Sequence, residues 1–212
     1  LEAHSHASSW CFMSLVFAGL MVDVIPMVTG KPLASKNATS YMFWGMTLGA
    51  FGLVLGPWLG GSLPPTIAGL VLHISATVVL VVSLVRSLKQ SGKLTTAGGW
   101  HVVSSYIWIL LPVLMAPTIL LGVFEAGPIE STAPQALIYG WVLQFGIAVI
   151  PYLARKYFLK EETPELGGCW GSLALANLGS VLIWVSIFSG TAKGIIYGIG
   201  FVLYALALIH PL

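Results

Sequence analysis

Residues 64–88 read PPTIAGLVLHISATVVLVVSLVRSL. Two prolines open this run, Arg86 and the neighbouring Lys89 mark its far end, and no Asp, Glu, Lys or Arg interrupts it before Arg86. A bilayer hydrocarbon core about 30 Å thick needs roughly 20 apolar residues in a helix, so this stretch is long and apolar enough to cross it. Working outward, six further runs bounded by charge, Pro or Gly lie at 8–29, 41–59, 100–123, 134–157, 169–189 and 194–210. Together the seven leave connections of only about seven residues each, too short to house a soluble domain. The expectation is an all-α chain: a polytopic transmembrane helical bundle of about seven spans, forming one transmembrane domain over residues 1–212. The runs lack the alternation of lipid-facing strands, which excludes a β-barrel.

Composition points the same way. Nine Lys or Arg and seven Asp or Glu make up 8% of the 212 residues, against about 25% in a soluble globular domain. So few charges cannot clothe a water-facing surface. A 57% apolar content and a mean hydropathy of +0.93 exclude a disordered, collagenous or disulfide-stapled chain. No basic stretch is interleaved with aromatics, so nucleic-acid binding is excluded. Cys11 and Cys169 lie in apolar runs without CxxC spacing and read as small buried hydrophobes.

The charges give an orientation. Lys31, Lys36, Arg86, Lys89, Lys93, Arg155, Lys156 and Lys160, eight of the nine basic residues, fall at one end of the expected spans, and Lys193 alone falls at the other. The positive-inside rule makes the first end cytoplasmic, with the N-terminus outside and the C-terminus inside, as in a multi-pass protein of a prokaryotic cytoplasmic (inner) membrane. Trp10, Trp58 and Trp141 near the outer side and Trp44, Trp100 and Trp170 near the inner side read as aromatic belts. Residue 1 is Leu and no Lys or Arg precedes the first run, so an upstream signal or helix is expected. The sequon Asn37-Ala38-Thr39 falls on the expected cytoplasmic side and reads as chance.

Ionisable groups within a membrane are functional candidates by default, and the five histidines lead. His4 and His6 stand at the outer mouth of the first span, His73 lies inside the third, His101 opens the fourth and His210 closes the seventh. Imidazole is the usual axial ligand of a b-type haem, and a bis-histidine site needs two rings at one height. His101 and His210 share a depth near the cytoplasmic face. His73 is about 13 Å past Pro64, so pairing it with His4 or His6 needs a first helix that tilts or starts early. His4 and His6 point about 200° apart on a helix, so only one of them addresses a given cofactor. The plain alternatives are solvated caps at the helix ends and, for His73, a buried imidazole bonded to a carbonyl.

Glycines supply a second signal. Gly45, Gly49, Gly52, Gly56 and Gly60 share one helix face, suited either to close helix packing or to a flat groove for a porphyrin, a quinone or a lipid tail. Gly190, Gly194 and Gly198 repeat the pattern over a shorter length. Pro112 and Pro117 are expected to bend the fourth span. Asp23 is expected to snorkel to water or pair with Arg86. Glu125 and Glu130 form an acidic outer loop, suited to docking a basic donor such as a cytochrome c. A weak repeat relates 4–60 to 133–190, with Gln135 standing where the first copy has His6.

His4-Ser5-His6, followed by Gly19 and Pro26, then Thr29-Gly30-Lys31-Pro32-Leu33 and the pair Phe43-Trp44, resembles the second helix and following loop of subunit I in the haem-copper oxidase superfamily. Within the superfamily it most resembles the nitric oxide reductase and cbb3-type branches and their short relatives. In that family a His-x-His at the outer end of an inward-running helix supplies an axial ligand to a low-spin haem b, so the resemblance implies His4 or His6 in that role. The family's copper site uses three histidines, two of them adjacent. This chain has no His-His pair and no later histidine-dense helix, so it resembles a copper-site-lacking relative that does not reduce oxygen or nitric oxide on its own.

Three functions follow as expectations. The first is a membrane subunit of a respiratory or electron-transfer complex, passing single electrons through a haem b held by His4 or His6 with His73, or by His101 with His210, and admitted by Gly45, Gly49, Gly52 and Gly56. The second is a cofactor-free scaffold that packs against catalytic membrane subunits and binds lipid or quinone in its grooves. The third is a copper site at the outer face built on His4, His6 and His73. Each implies other membrane subunits and lipids as partners. No GxSxG, HExxH, Walker or Rossmann pattern supports catalysis by the chain alone.

Overall fold

The computed structural model describes residues 6–209, without the side chains of 112–114, 116, 117, 120, 126, 130 and 136. His4 and His210 therefore lie outside the described residues, as do the side chains of Pro112, Pro117 and Glu130. All regular structure among the described residues is helical. The chain divides into two compact units, Leu1–Gly92 and Lys93–Leu212.

The first unit holds three helices. Helix α1 spans Ala7–Thr29; its opening stretch, Ala7–Met13, is in π register, and Ser14–Thr29 is regular α-helix. It stops at Gly30, whose φ of 70° a side-chain-bearing residue would resist, and the Gly30 N–H closes the end by donating to the Pro26 carbonyl at 2.8 Å. Helix α2 covers Lys36–Trp58; the Ser35 hydroxyl caps it by accepting from the Ala38 N–H at 3.3 Å. Helix α3 covers Leu63–Gln90.

Close contact between α2 and α3 dominates this unit. A Cβ built on Gly45 would lie 2.9 Å from Ala76 Cβ, one on Gly49 2.6 Å from the His73 amide nitrogen, and one on Gly52 2.7 Å from Gly69 Cα. At Gly56 the space is filled by the Thr66 side chain. The bare face of α2 is thus covered along its length by the backbone of α3, as small-residue packing in membranes requires. Helix α1 lies against this pair and meets α3 where Ser87 Oγ donates to Thr29 Oγ1 at 3.4 Å. Met21, Val24 and Ile25 of α1, Met46 and Ala50 of α2, and Leu80 and Leu84 of α3 make the buried core.

The second unit holds four helices. Helix α4 covers Ala97–Leu120. Helix α5 runs through Ala126–Ala136, a π stretch Leu137–Leu143, and Gln144–Tyr157. Helices α6 and α7 cover Trp170–Ser186 and Lys193–Ile209. They approach closest at a glycine pair: a Cβ on Gly179 would lie 2.8 Å from the Gly200 carbonyl oxygen. Helix α4 meets α5 where Gly140 makes room for the Trp108 ring.

Among the described residues, five helical segments are long and apolar enough to cross a membrane: Ala7–Thr29, Lys36–Trp58, Leu63–Gln90, Gly127–Tyr157 and Gly190–Ile209. Ala97–Leu111 and Trp170–Ser186 are apolar but shorter. Outward faces carry large apolar side chains, among them Phe51, Val71, Ile195 and Val202. A surface of this kind marks contact with lipid or with other apolar partners.

Several local expectations change. Helix α2 starts at Lys36, ahead of the apolar run at 41, because Ser35 caps a polar first turn. Trp141 is buried in the core of the second unit beside Tyr106, with ring centroids 6.5 Å apart, and does not belong to a belt. Asp23 and Arg86 are both exposed and form no ion pair with each other. Cys11 and Cys169 are half-buried thiols outside any disulfide rather than core residues. Cys169 caps α6: its Sγ accepts from the Ser172 N–H at 3.3 Å while Ser172 Oγ accepts from the Cys169 N–H at 2.9 Å.

Candidate functional site

The first unit brings two of the singled-out histidines to the neighbourhood of one end of α1. In the π stretch the Ser14 N–H is sent to the Ser9 carbonyl, and the Trp10 carbonyl takes side-chain donors. The Ser14 hydroxyl donates to it. His73, buried on α3, places Nε2 3.0 Å from Ser14 Oγ and 3.2 Å from the Trp10 carbonyl oxygen. With the Ser14 proton directed at Trp10, Nε2 carries the imidazole proton; Nδ1 lies 3.4 Å from Thr77 Oγ1, whose own proton goes to the His73 carbonyl at 2.8 Å. The Trp10 ring packs edge-on against the imidazole at 5.4 Å.

This geometry tests His73 as a ligand. A haem iron or a copper needs an imidazole lone pair facing open space. The His73 nitrogen that faces α1 holds a proton and is occupied by Ser14 and Trp10, while the other faces Thr77 on its own helix. Its backbone is pressed against Gly49. His73 therefore does not fit an axial or copper-ligand role here; it is a buried imidazole tied to a carbonyl. Gly45, Gly49, Gly52 and Gly56 likewise do not form a groove, because α3 already lies on them.

His6 behaves differently. Its Nδ1 lies 2.9 Å from the Leu53 carbonyl oxygen. A carbonyl only accepts, so Nδ1 carries a proton and, in the neutral imidazole, Nε2 holds the lone pair. Imidazoles that bind metal are commonly held in this way, with the second nitrogen donated to a carbonyl. Among the described residues no group of three or more His, Cys, Asp or Glu stands ready to hold a metal ion.

His101 lies in the second unit, fully buried, with Nε2 2.9 Å from Ser172 Oγ. Ser172 Oγ donates to the Cys169 carbonyl at 2.9 Å and so accepts from the imidazole. Gly168, at φ 89°, lies so near that a Cβ there would be 2.5 Å from His101 Cδ2. The ring fills a slot between a loop and a helix start, with no room for a porphyrin at that edge. Its Nδ1 is buried without a hydrogen-bond partner. The loop it meets is held by Lys93 Nζ donating to Glu165 Oε1 at 2.9 Å, and the ammonium holds the Glu165 carboxyl below the usual carboxylate range.

One feature of the first unit escaped the sequence reading. A groove of about 640 Å³ opens between α1 and α2, floored by Ala18, Met46 and Leu80, with Lys36, Thr39 and Ser40 at one end. Gly19 lies on its wall with nothing within 4 Å of where its Cβ would be. The only signal in the sequence was Gly19 itself, an exposed glycine in an otherwise apolar helix. Comparison with protein-family models, curated proteins and solved structures finds no match to this chain.

Proposed function

We propose that the chain is a multi-pass membrane subunit that serves as a packing scaffold within a larger electron-transfer assembly, all seven of its apolar helices crossing the bilayer. One observation carries this reading. The glycine face of α2 and Nε2 of His73, two of the elements a haem between α1 and α3 would use, are taken up by α3, Ser14 and the Trp10 carbonyl. The apolar outward faces supply surface for neighbouring subunits. The basic ends of α1, α2, α3 and α5 face the cytoplasm of a prokaryotic cell in this proposal. The respiratory setting rests on the resemblance of the first 45 or so residues to the haem-copper oxidase superfamily.

A second reading has its own observation. His6 keeps Nε2 as a lone pair while the Leu53 carbonyl fixes its other nitrogen, so a haem b bound through His6 is the redox alternative. Bound there, haem would supply one-electron transfer; the chain's part would be to hold the imidazole tautomer.

The two are separated by the optical spectrum of the purified chain, oxidised and dithionite-reduced, with a pyridine haemochrome assay and metal analysis. The scaffold reading expects no reduced α-band and no stoichiometric copper. An α-band that disappears in His6→Ala would overturn it in favour of the haem, and copper at one per chain would revive the outer copper site. Labelling of Cys11 and Cys169 by an impermeant maleimide in sealed cells checks the orientation, with reaction expected at Cys11 only.

A further inference from the structure

The groove between α1 and α2 has the polarity of a lipid site. Its floor, Ala18, Met46 and Leu80, is buried and apolar. Its polar residues gather at one end: Lys36, Ser40 and Thr39, whose hydroxyl donates to the Ser35 carbonyl at 3.2 Å. From Lys36 to Met46 the groove descends about 15 Å at the rise of an α-helix, close to half of a hydrocarbon core about 30 Å thick. A chain from one leaflet fits that depth.

Charge identifies the head. Lys36 stands in the first turn of α2, where a cation opposes the helix dipole, so helix stability does not explain it. No described carboxylate pairs with it. Lys31, Arg86 and Lys89 lie at the same end of the unit, so that with Lys36 four cations stand against one carboxylate, Asp23, next to Val22 of the groove wall, among the described residues of this unit. The mouth thus calls for an anion. A quinone fits less well, because its ring carries carbonyls at opposite edges and the deep end of the groove offers no donor. A partner helix would need a seam as long as a span, and this groove closes half-way.

We infer that the α1–α2 groove of the first unit binds an acidic phospholipid, its phosphate at Lys36 and Ser40 and one acyl chain lying over Gly19 against Ala18, Met46 and Leu80. Gly19 keeps the wall open: a Cβ there would have nothing within 4 Å, and a larger side chain would extend into the place of the acyl chain. The inference rests on the chain being embedded in a membrane, and not on the choice between scaffold and haem carrier, so the haemochrome assay and the lipid test fail independently.

The test uses the full chain in detergent, titrated with dioleoyl-phosphatidylglycerol or dioleoyl-phosphatidylcholine and read by native mass spectrometry. Phosphatidylglycerol is expected to bind at one per chain more tightly than phosphatidylcholine. Lys36→Gln should weaken it about fivefold, the effect of one lysine near an anionic surface. Gly19→Leu should weaken both lipids about tenfold or more, by displacing roughly two methylenes' worth of contact. Val22→Phe, one turn away on the same wall, provides a second block should Gly19→Leu fail to fold by circular dichroism. Equal affinity for the two lipids with no effect of Lys36→Gln would overturn the acidic head. Undiminished binding in a folded groove-filling variant would overturn the groove. Displacement of the lipid by decylubiquinone at equal concentration, unaffected by Lys36→Gln, would assign the groove to a quinone instead.

Discussion

Each unit contains a helix with seven residues in π register, Ala7–Met13 in the first and Leu137–Leu143 in the second, and each stretch is followed by a buried polar residue, Ser14 or Gln144. The two use it in different ways. Ser14 joins a set in which its hydroxyl, the Trp10 carbonyl and His73 Nε2 are mutually partnered, while the Thr77 hydroxyl beside His73 Nδ1 donates to the His73 carbonyl at 2.8 Å. Gln144 donates from Nε2 to Ser104 Oγ at 2.5 Å, but its Oε1 has no partner, and neither has the hydroxyl of Tyr106 on the facing helix. A π stretch is common at functional sites. In the first unit it turns the Trp10 carbonyl toward the Ser14 hydroxyl and His73 Nε2. Buried polar groups stabilise when all are satisfied and cost free energy when some are not.

The contrast is open to measurement. The largest effect is expected at the glycine contacts: Gly52→Leu should cost the first unit about 3 kcal/mol or more, because its Cβ would meet the Gly69 backbone, which cannot move aside as a side chain can. Gly19→Leu, with nothing near its Cβ, should leave stability within about 0.5 kcal/mol. Reversible unfolding in detergent, followed by circular dichroism, reads both, and equal losses would refute the packing role given to the α2 face. Next, His73→Ala should cost about 2–4 kcal/mol, by opening a cavity and leaving Ser14 and the Trp10 carbonyl short of a donor. Gln144→Leu should cost less than about 1 kcal/mol, since it removes one unpaired acceptor along with one hydrogen bond. A larger loss at Gln144 than at His73 would invert the comparison of the two units.

The smallest effect concerns pH. Glu165 ionises more readily when folded because Lys93 donates to it, so its share of stability is present above the ordinary glutamate range, about pH 4.3, and is lost as pH falls through its lowered pKa. The pair is exposed, so Glu165→Gln should change stability by less than about 0.5 kcal/mol at neutral pH. The variant should flatten the acid limb of the stability curve in the second unit, and a variant curve with an unchanged acid limb would refute the assignment.

Much of the helix layout was legible because hydrophobic run length is a local property. The run at 64–88 lies within a helix spanning Leu63–Gln90, and each of the other six runs is largely helical. Helix α2 begins at Lys36 because a polar first turn is invisible to a count of apolar residues, although Ser35 is a good capping residue. Trp141 was placed in a belt from its distance along the chain, but exposure depends on which side of the helix another helix covers. The glycine spacing of α2 was legible, while its meaning was not. Packing and ligand groove share one pattern, and only the position of α3 chooses between them.

The sequence by itself determined that this chain is helical and apolar, where most helices end, and which ends are basic. In lipid, a backbone satisfies its hydrogen bonds within its own segment, so those properties follow from residues adjacent in the chain. The tertiary structure decided what each polar side chain faces. His73 meets Ser14 and Trp10, residues about 60 positions away, so whether its nitrogens are free or taken is set by how α1 and α3 are rotated against each other. The groove at Gly19 has the same origin, since a missing side chain becomes a site only when two other helices wall and floor the space it leaves.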